Sequence, residues 1–148
     1  MNRGVAPGTV TSVSAMFPCY NDATTIGMLV DAVYAALTPL VDDVEVIVVN
    51  DGSTDGSREV LDELSATRPW LRVIHHERNR GYGGALISGF AAARNDWIFY
   101  TDGDAQYDAS EAALLVKVAN EAFASGTPVD IVQGYKIGRG DPLHRKVI

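Results

Sequence analysis

The sequence predicts an α/β fold, a mostly parallel sheet with helices on both faces. Two observations carry that reading. Short β-branched runs alternate with longer segments whose apolar residues recur at helical spacing. A polar or glycine-rich cluster also follows each of the first four runs, which is where ligands gather in parallel sheets.

Taken in order, Val10 to Phe17 reads as a first strand, ended by Pro18. Thr24 to Leu37 reads as a helix, because Ile26, Leu29, Val30, Val33 and Leu37 fall on one side. Val44 to Val49 (VEVIVV) has the density of a strand buried on both faces. Ser57 to Ala66 follows as a helix, with Val60, Leu61 and Leu64 on its apolar side, and Leu71 to His75 as a third strand. Gly81 to Ala93 is a helix with a glycine-rich first turn, and Trp97 to Thr101 a fourth strand. Ala109 to Ala124 is a helix closed by Gly126 and Pro128, and Val129 to Gln133 reads as a fifth strand. From Gly134 onward the pattern is loop-like.

A chain of 148 residues favours one domain, here residues 1–148, and is long enough to fold without disulfides. Cys19 is the only cysteine, which excludes an internal disulfide and a cysteine-based zinc site. The net charge of −7 argues against nucleic acid as a partner. Lys136, Arg139, Arg145 and Lys146 nevertheless cluster at the end of this acidic chain, where an anion or a membrane surface would meet them; a solvated basic tail is the plainer reading. The first residues lack the pattern of a signal peptide, and no apolar run approaches the ~20 residues that span a bilayer. The expected location is the cytoplasm, including the cytoplasmic face of the membrane.

Four clusters stand at predicted strand ends: FPCYND, NDGSTDGS, HERNRGYGG and TDGDAQ. In Asp102-Gly103-Asp104 two carboxylates separated by one glycine can turn toward a single hard cation, Mg2+ or Mn2+, with Gln106 adding a carbonyl oxygen. A plain Asp-Gly turn is the alternative; at the open edge of the sheet the metal reading is preferred. Asn50 and Asp51 lie closest to the second strand's end and are the better ligand candidates there, while Ser53 and Asp55 read as helix caps. Gly81, Gly83 and Gly84 suit either a tight turn or close approach of backbone to a phosphate. His75 and His76, adjacent on a strand, point to opposite faces and read as structural.

In this order, FPCYND (17–22), VVNDGSTDGS (48–57), NRGYGGAL (79–86), YTDGDAQYD (100–108) and GYKIGRGDPLHRKVI (134–148) resemble the family 2 inverting glycosyltransferases of the GT-A fold. The similarity is to the branch of dolichyl-phosphate mannose synthase and the bacterial polyprenyl-phosphate glycosyltransferases. It spans nearly the whole chain and implies a Rossmann-like, nucleotide-sugar-binding GT-A domain. By the same resemblance Pro18, Tyr20, Asn21 and Asp22 form a nucleotide-contacting loop, and Val49 and Asp51 grip base and ribose. Asn79, Gly81 and Gly84 belong to the same donor site, as do Asp102 and Gly103. Asp102 and Asp104 are the catalytic, metal-holding DXD pair, supported by Gln106. Lys136, Arg139 and Arg145 lie in the segment that meets an acceptor phosphate. Asp22, Asn50 and Ser88 stand where many relatives carry Glu, Asp and Arg. Family catalytic domains continue well past this point, so acceptor-side residues are expected beyond residue 148.

The implied reaction moves a hexose from a nucleotide diphosphate sugar to a lipid phosphate with inversion. A sugar-hydroxyl acceptor would require a carboxylate base, and a nucleotide-sugar-binding module without turnover is the non-enzymatic alternative.

Overall fold

Four short runs pair into one sheet; the two central ones bury both faces, while an edge run leaves Ile98 and Tyr100 exposed. The computed structural model describes residues 8–102, 108 and 111–134. Its elements are β1 (Ser12–Cys19), α1 (Ile26–Leu37), β2 (Asp43–Asn50), α2 (Ser57–Thr67), β3 (Leu71–His75), α3 (Gly81–Ala92), β4 (Trp97–Tyr100) and α4 (Ala112–Ala124). All pairings are parallel, in the order β3-β2-β1-β4. Parallel neighbours need crossover connections, which the helices supply.

Alternation along the strands divides the core in two. Val13, Ala15, Phe17 and Cys19 of β1 join Val46 and Val48 of β2 beneath α1, Leu61 of α2 and Val116 of α4. Met16, Ile47 and Val49 face the other way and meet Ala85 of α3. The helices therefore cover both faces, as the sequence implied. On the α3 side a Cβ at Gly89 would stand 2.5 Å from Met16 Cγ, so only glycine lets the helix lie this close to β1.

Two expectations are corrected. Pro18 does not end β1; it lies within the strand, in register with Val49. The Cys19 carbonyl accepts the Asp51 amide N–H, so β1 turns its bonds toward β2 at that residue and away from β2 at Pro18. There β4 has already stopped pairing, at Met16, and no partner needs the N–H that proline lacks. Val129 to Gln133 forms no strand: Ile131 is 84% exposed, while Val132 packs on the core. Its β-branched content gave propensity, but a strand exists only through a ladder.

Glu45 ties the opposite end of the sheet together. Its carboxylate accepts from Ser14 Oγ (2.6 Å), the Arg94 amide (2.7 Å) and Arg72 Nη1 (2.9 Å). Burial raises its pKa, but these three donors outweigh burial and hold it below the ordinary 4.5. A folded-state pKa below the unfolded one stabilises above about pH 4.5 and is lost as pH falls through the folded value. Glu45→Gln is expected to cost about 2 kcal/mol near pH 7, as for hydrogen bonds to a charged group. Urea unfolding at several pH values checks this: the gap to the parent should narrow as acid protonates Glu45.

Candidate active site

The winding of the sheet decides where a ligand can enter. From β1 the chain proceeds outward through β2 to β3, then returns to the far side of β1 with β4. β1 and β4 are parallel neighbours, and ligands of parallel sheets gather beyond the carboxyl ends of such strands. The segment after β1 and Asp102, just past β4, stand at those ends.

The β1–α1 and β2–α2 loops build one wall by bonding to each other. Asn21 adopts φ 56°, a left-handed conformation that asparagine tolerates. From there its Oδ1 accepts the Thr54 amide N–H (2.8 Å) and its own amide donates to Ser53 Oγ (3.0 Å). The Ala23 amide donates to Asp55 Oδ2 (3.1 Å), and Asp22 Oδ2 accepts the Tyr20 amide N–H (3.2 Å). Asp55 also receives the amide of Ser57, the first residue of α2, but from the position before the N-cap, which is Gly56. Ser53 does not cap α2, because its hydroxyl is directed to the other loop. Tyr20, 49% exposed, stands on the rim. Cys19 beneath the loop is buried, and that burial, with Asp22 nearby, pushes its thiol up to about 11, leaving it protonated at neutral pH.

At the end of β2 the polar side chains are buried and hydrogen-bonded to their neighbours. Asn50 accepts the Ser53 amide N–H on Oδ1, and its Nδ2 meets His75 Nδ1 at 2.9 Å. His75 Nε2 in turn lies 2.9 Å from Asp62 of α2. Asp51 Oδ1 receives the Arg80 amide N–H (2.8 Å) and lies 2.7 Å from His76 Nδ1. His76 Nε2 lies 2.8 Å from Ser88 Oγ of α3. Burial raises the Asp51 pKa, but His76, the Arg80 amide and the Gly81 amide prevail and hold the carboxyl below its ordinary value, as an anion. The two histidines thus serve opposite sides of the sheet, as expected, and have structural partners. The Val49 side chain is fully buried against α3, which leaves only its backbone for a ligand; it anchors the strand end that Asp51 follows.

The glycine-rich turn divides in the same way. The Gly81 amide, at φ 81°, donates to Asn79 Oδ1 (2.8 Å), and the Arg80 amide is taken by Asp51. The tight-turn reading therefore holds for this first part of the α3 terminus. A Cβ at Gly84 would stand 2.7 Å from Arg80 Cβ, and one at Gly52 would stand 2.5 Å from the Asn79 backbone nitrogen. Gly52 lets the second and third loops close on each other, and Gly84 lets the first turn of α3 pack on Arg80.

Asp102 is half-buried two residues beyond Tyr100, which pairs with Met16 of β1. Gly103, Asp104, Gln106, Lys136, Arg139 and Arg145 lie outside the described residues. Among the described residues no group of three His, Cys, Asp or Glu side chains is arranged to hold a metal. The structure thus brings Tyr20, Asn21, Asp22, Asp51, Asn79 and Gly81 to one sheet edge, with Asp102 at the neighbouring strand end. Sequence reading missed the link from Ser88 through His76 to Asp51. The pairing of Asn50 with His75 is the signal that sets residue 51 beside residue 76.

Comparison with known proteins agrees with this fold. The model of the family described as "Glycosyl transferase family 2" matches residues 14–146. Undecaprenyl-phosphate 4-deoxy-4-formamido-L-arabinose transferase of Photorhabdus laumondii is 33% identical over 93% of this chain, which spans 41% of that protein. A mannosyltransferase of Pyrobaculum calidifontis, solved with GDP-Man and Mn2+, superposes with a TM-score of 0.62 at 28% identity, over 84% of this chain and 36% of that one. TarS of S. aureus, solved with UDP-GlcNAc, gives a TM-score of 0.54 at 25% identity, over 64% of this chain and 27% of that one. A family match running from β1 to within two residues of the chain's end, on a sheet shared with these GT-A structures, leads to one conclusion: the chain belongs to glycosyl transferase family 2.

Proposed function

We propose that this chain is the donor-binding part of an inverting hexosyltransferase that moves a sugar from a nucleotide diphosphate to a polyprenyl phosphate. The observation that supports this is the gathering of polar loops at the carboxyl edge of the sheet, with the Asp51 anion after β2 and Asp102 just past β4. The acceptor is argued from the basic cluster ending an acidic chain and from the Photorhabdus relative, named for an undecaprenyl-phosphate acceptor. The relatives solved with GDP-Man and UDP-GlcNAc leave the base open.

In this reading Tyr20, Asn21, Asp22 and Asp51 orient the nucleoside, with Asn79, Gly81 and Gly84 shaping the floor of the donor site. Asp102 has the hard oxygen that a divalent cation prefers, and with Asp104 and Gln106 it would hold Mg2+ or Mn2+. When bound, that ion supplies positive charge to the leaving diphosphate. Lys136, Arg139 and Arg145 position the acceptor, Arg by forked hydrogen bonds. A phosphate monoester with second pKa near 6 is already a dianion at neutral pH, so no protein base is needed. An acceptor oxygen attacks the anomeric carbon opposite the diphosphate, one C–O bond forms as the other breaks, and the configuration inverts. The work takes place at the cytoplasmic face of a membrane, where such acceptors are held; no helix among the described residues is long and apolar enough to cross it.

The test is to titrate the chain with UDP and GDP with and without Mn2+, then follow transfer to a short-chain polyprenyl phosphate. Arg139→Ala is expected to leave nucleotide affinity unchanged and to reduce acceptor use roughly tenfold or more, the scale of a lost charged hydrogen bond. Equal loss of both, or transfer only to a sugar hydroxyl, would overturn the assignment.

A further inference from the structure

His76 is 3% exposed, stands just past the end of β3, and has both ring nitrogens engaged. Nδ1 faces Asp51 Oδ1 at 2.7 Å and Nε2 faces Ser88 Oγ at 2.8 Å. A carboxylate only accepts, so Nδ1 must carry the proton, and the Ser88 hydroxyl can donate to Nε2. The Arg80 amide N–H donates to the same Oδ1 at 2.8 Å. These two donors, with the Gly81 amide, hold the carboxylate against turning about its Cβ–Cγ bond. Nothing in strand pairing requires this: the ladder of β2 and β3 is complete at Asn50 and His75.

We infer that His76 is a positioning residue for donor recognition, aiming the Asp51 carboxylate at the bound nucleoside while Ser88 fixes the imidazole. The inference rests on the nucleotide role proposed for Asp51. A merely structural tie between β3 and α3 would depend on the polarity and bulk of the side chain. A positioning role depends on which nitrogen is kept. Asparagine places its amide nitrogen near the site of Nδ1, whereas glutamine reaches the site of Nε2. His76→Asn therefore preserves the donor to Asp51, and His76→Gln preserves only the link to Ser88.

The experiment is calorimetric titration of the folded variants with whichever of UDP and GDP binds the parent more tightly, in Mn2+. His76→Asn is expected to bind within about threefold of the parent and His76→Gln about tenfold more weakly, the cost of one hydrogen bond to a charged group. In the transfer assay the Gln variant should raise KM for the donor with kcat unchanged. Equal weakening by Asn and Gln, or unchanged affinity in both, would overturn the inference. Ser88→Ala is a second arm should the His76 variants fold poorly: about threefold weaker binding supports the inference, and parental affinity overturns it. Asp51→Asn separates the two levels of argument. If it binds like the parent, the nucleotide role of Asp51 fails, and the inference with it. If it loses binding while His76→Gln keeps it, only the positioning role fails.

Discussion

Replacing Asp102 with alanine is expected to remove manganese-dependent binding of nucleoside diphosphates while leaving the fold in place. The residue follows β4, which lies beside β1 on the far side from β2 and β3, and it belongs to neither apolar cluster. Its loss should therefore disturb little packing. Its carboxylate, by contrast, belongs to the proposed DXD pair and stands two residues past β4. Removing a group that merely supports a metal ligand weakens metal affinity roughly 10- to 100-fold. Removing the ligand should exceed that range. Titration of UDP or GDP in Mn2+ and in EDTA, beside a circular dichroism spectrum, makes the test. The parent should show a large difference between the two conditions and the variant none. Asp104→Ala is expected to behave alike. A variant that keeps its Mn2+-dependent affinity would remove Asp102 from the cation site.

Gly52→Ala is expected to be the most destabilising small substitution near the site. Gly52 has φ 73°, a left-handed conformation that costs an L-residue roughly 1–2 kcal/mol. Its Cβ would also lie 2.5 Å from the Asn79 nitrogen and 2.7 Å from the Arg78 carbonyl carbon, which are backbone and cannot swing aside. Overpacking of that kind adds typically 1–3 kcal/mol. Together a loss of about 3 kcal/mol is expected, which for a domain this size lowers Tm by roughly 6–12 °C. Thermal unfolding followed by circular dichroism measures it directly. A shift of a degree or less would mean that the second and third loops do not close as tightly as described. Gly81→Ala is the natural control, since its φ of 81° is similar but its Cβ would meet nothing within 4 Å. It should show the conformational cost without the clash.

What the sequence disclosed and what it withheld have a common physical basis. Patterns that repeat within a few residues were legible. Leu71 to His75 was bounded as the structure has it, and Ile26, Leu29, Val30, Val33 and Leu37 of α1 are all buried. The placement of polar clusters at strand ends followed, because alternation of strand and helix fixes the direction of a parallel sheet. Features that depend on a partner distant in the chain were not legible. Pro18 looks like a terminator until the end of β4 pairing is known. Val129 to Gln133 has the composition of a strand and no ladder. Ser53 has the profile of a cap, yet its hydroxyl is 3.0 Å from the Asn21 amide, which only the β1–β2 pairing brings near. The buried chain from Ser88 to Asp51 was hidden for the same reason.

Asn21, Ser53, Thr54 and Asp55 already spend their hydrogen-bonding groups on holding two loops together before any ligand arrives. A nucleoside entering on that side meets a surface whose shape is set in advance, so association there need not freeze a floppy segment. Discrimination between one base and another would then come from fit to a rigid template, not from loops remodelling around whichever nucleotide is present.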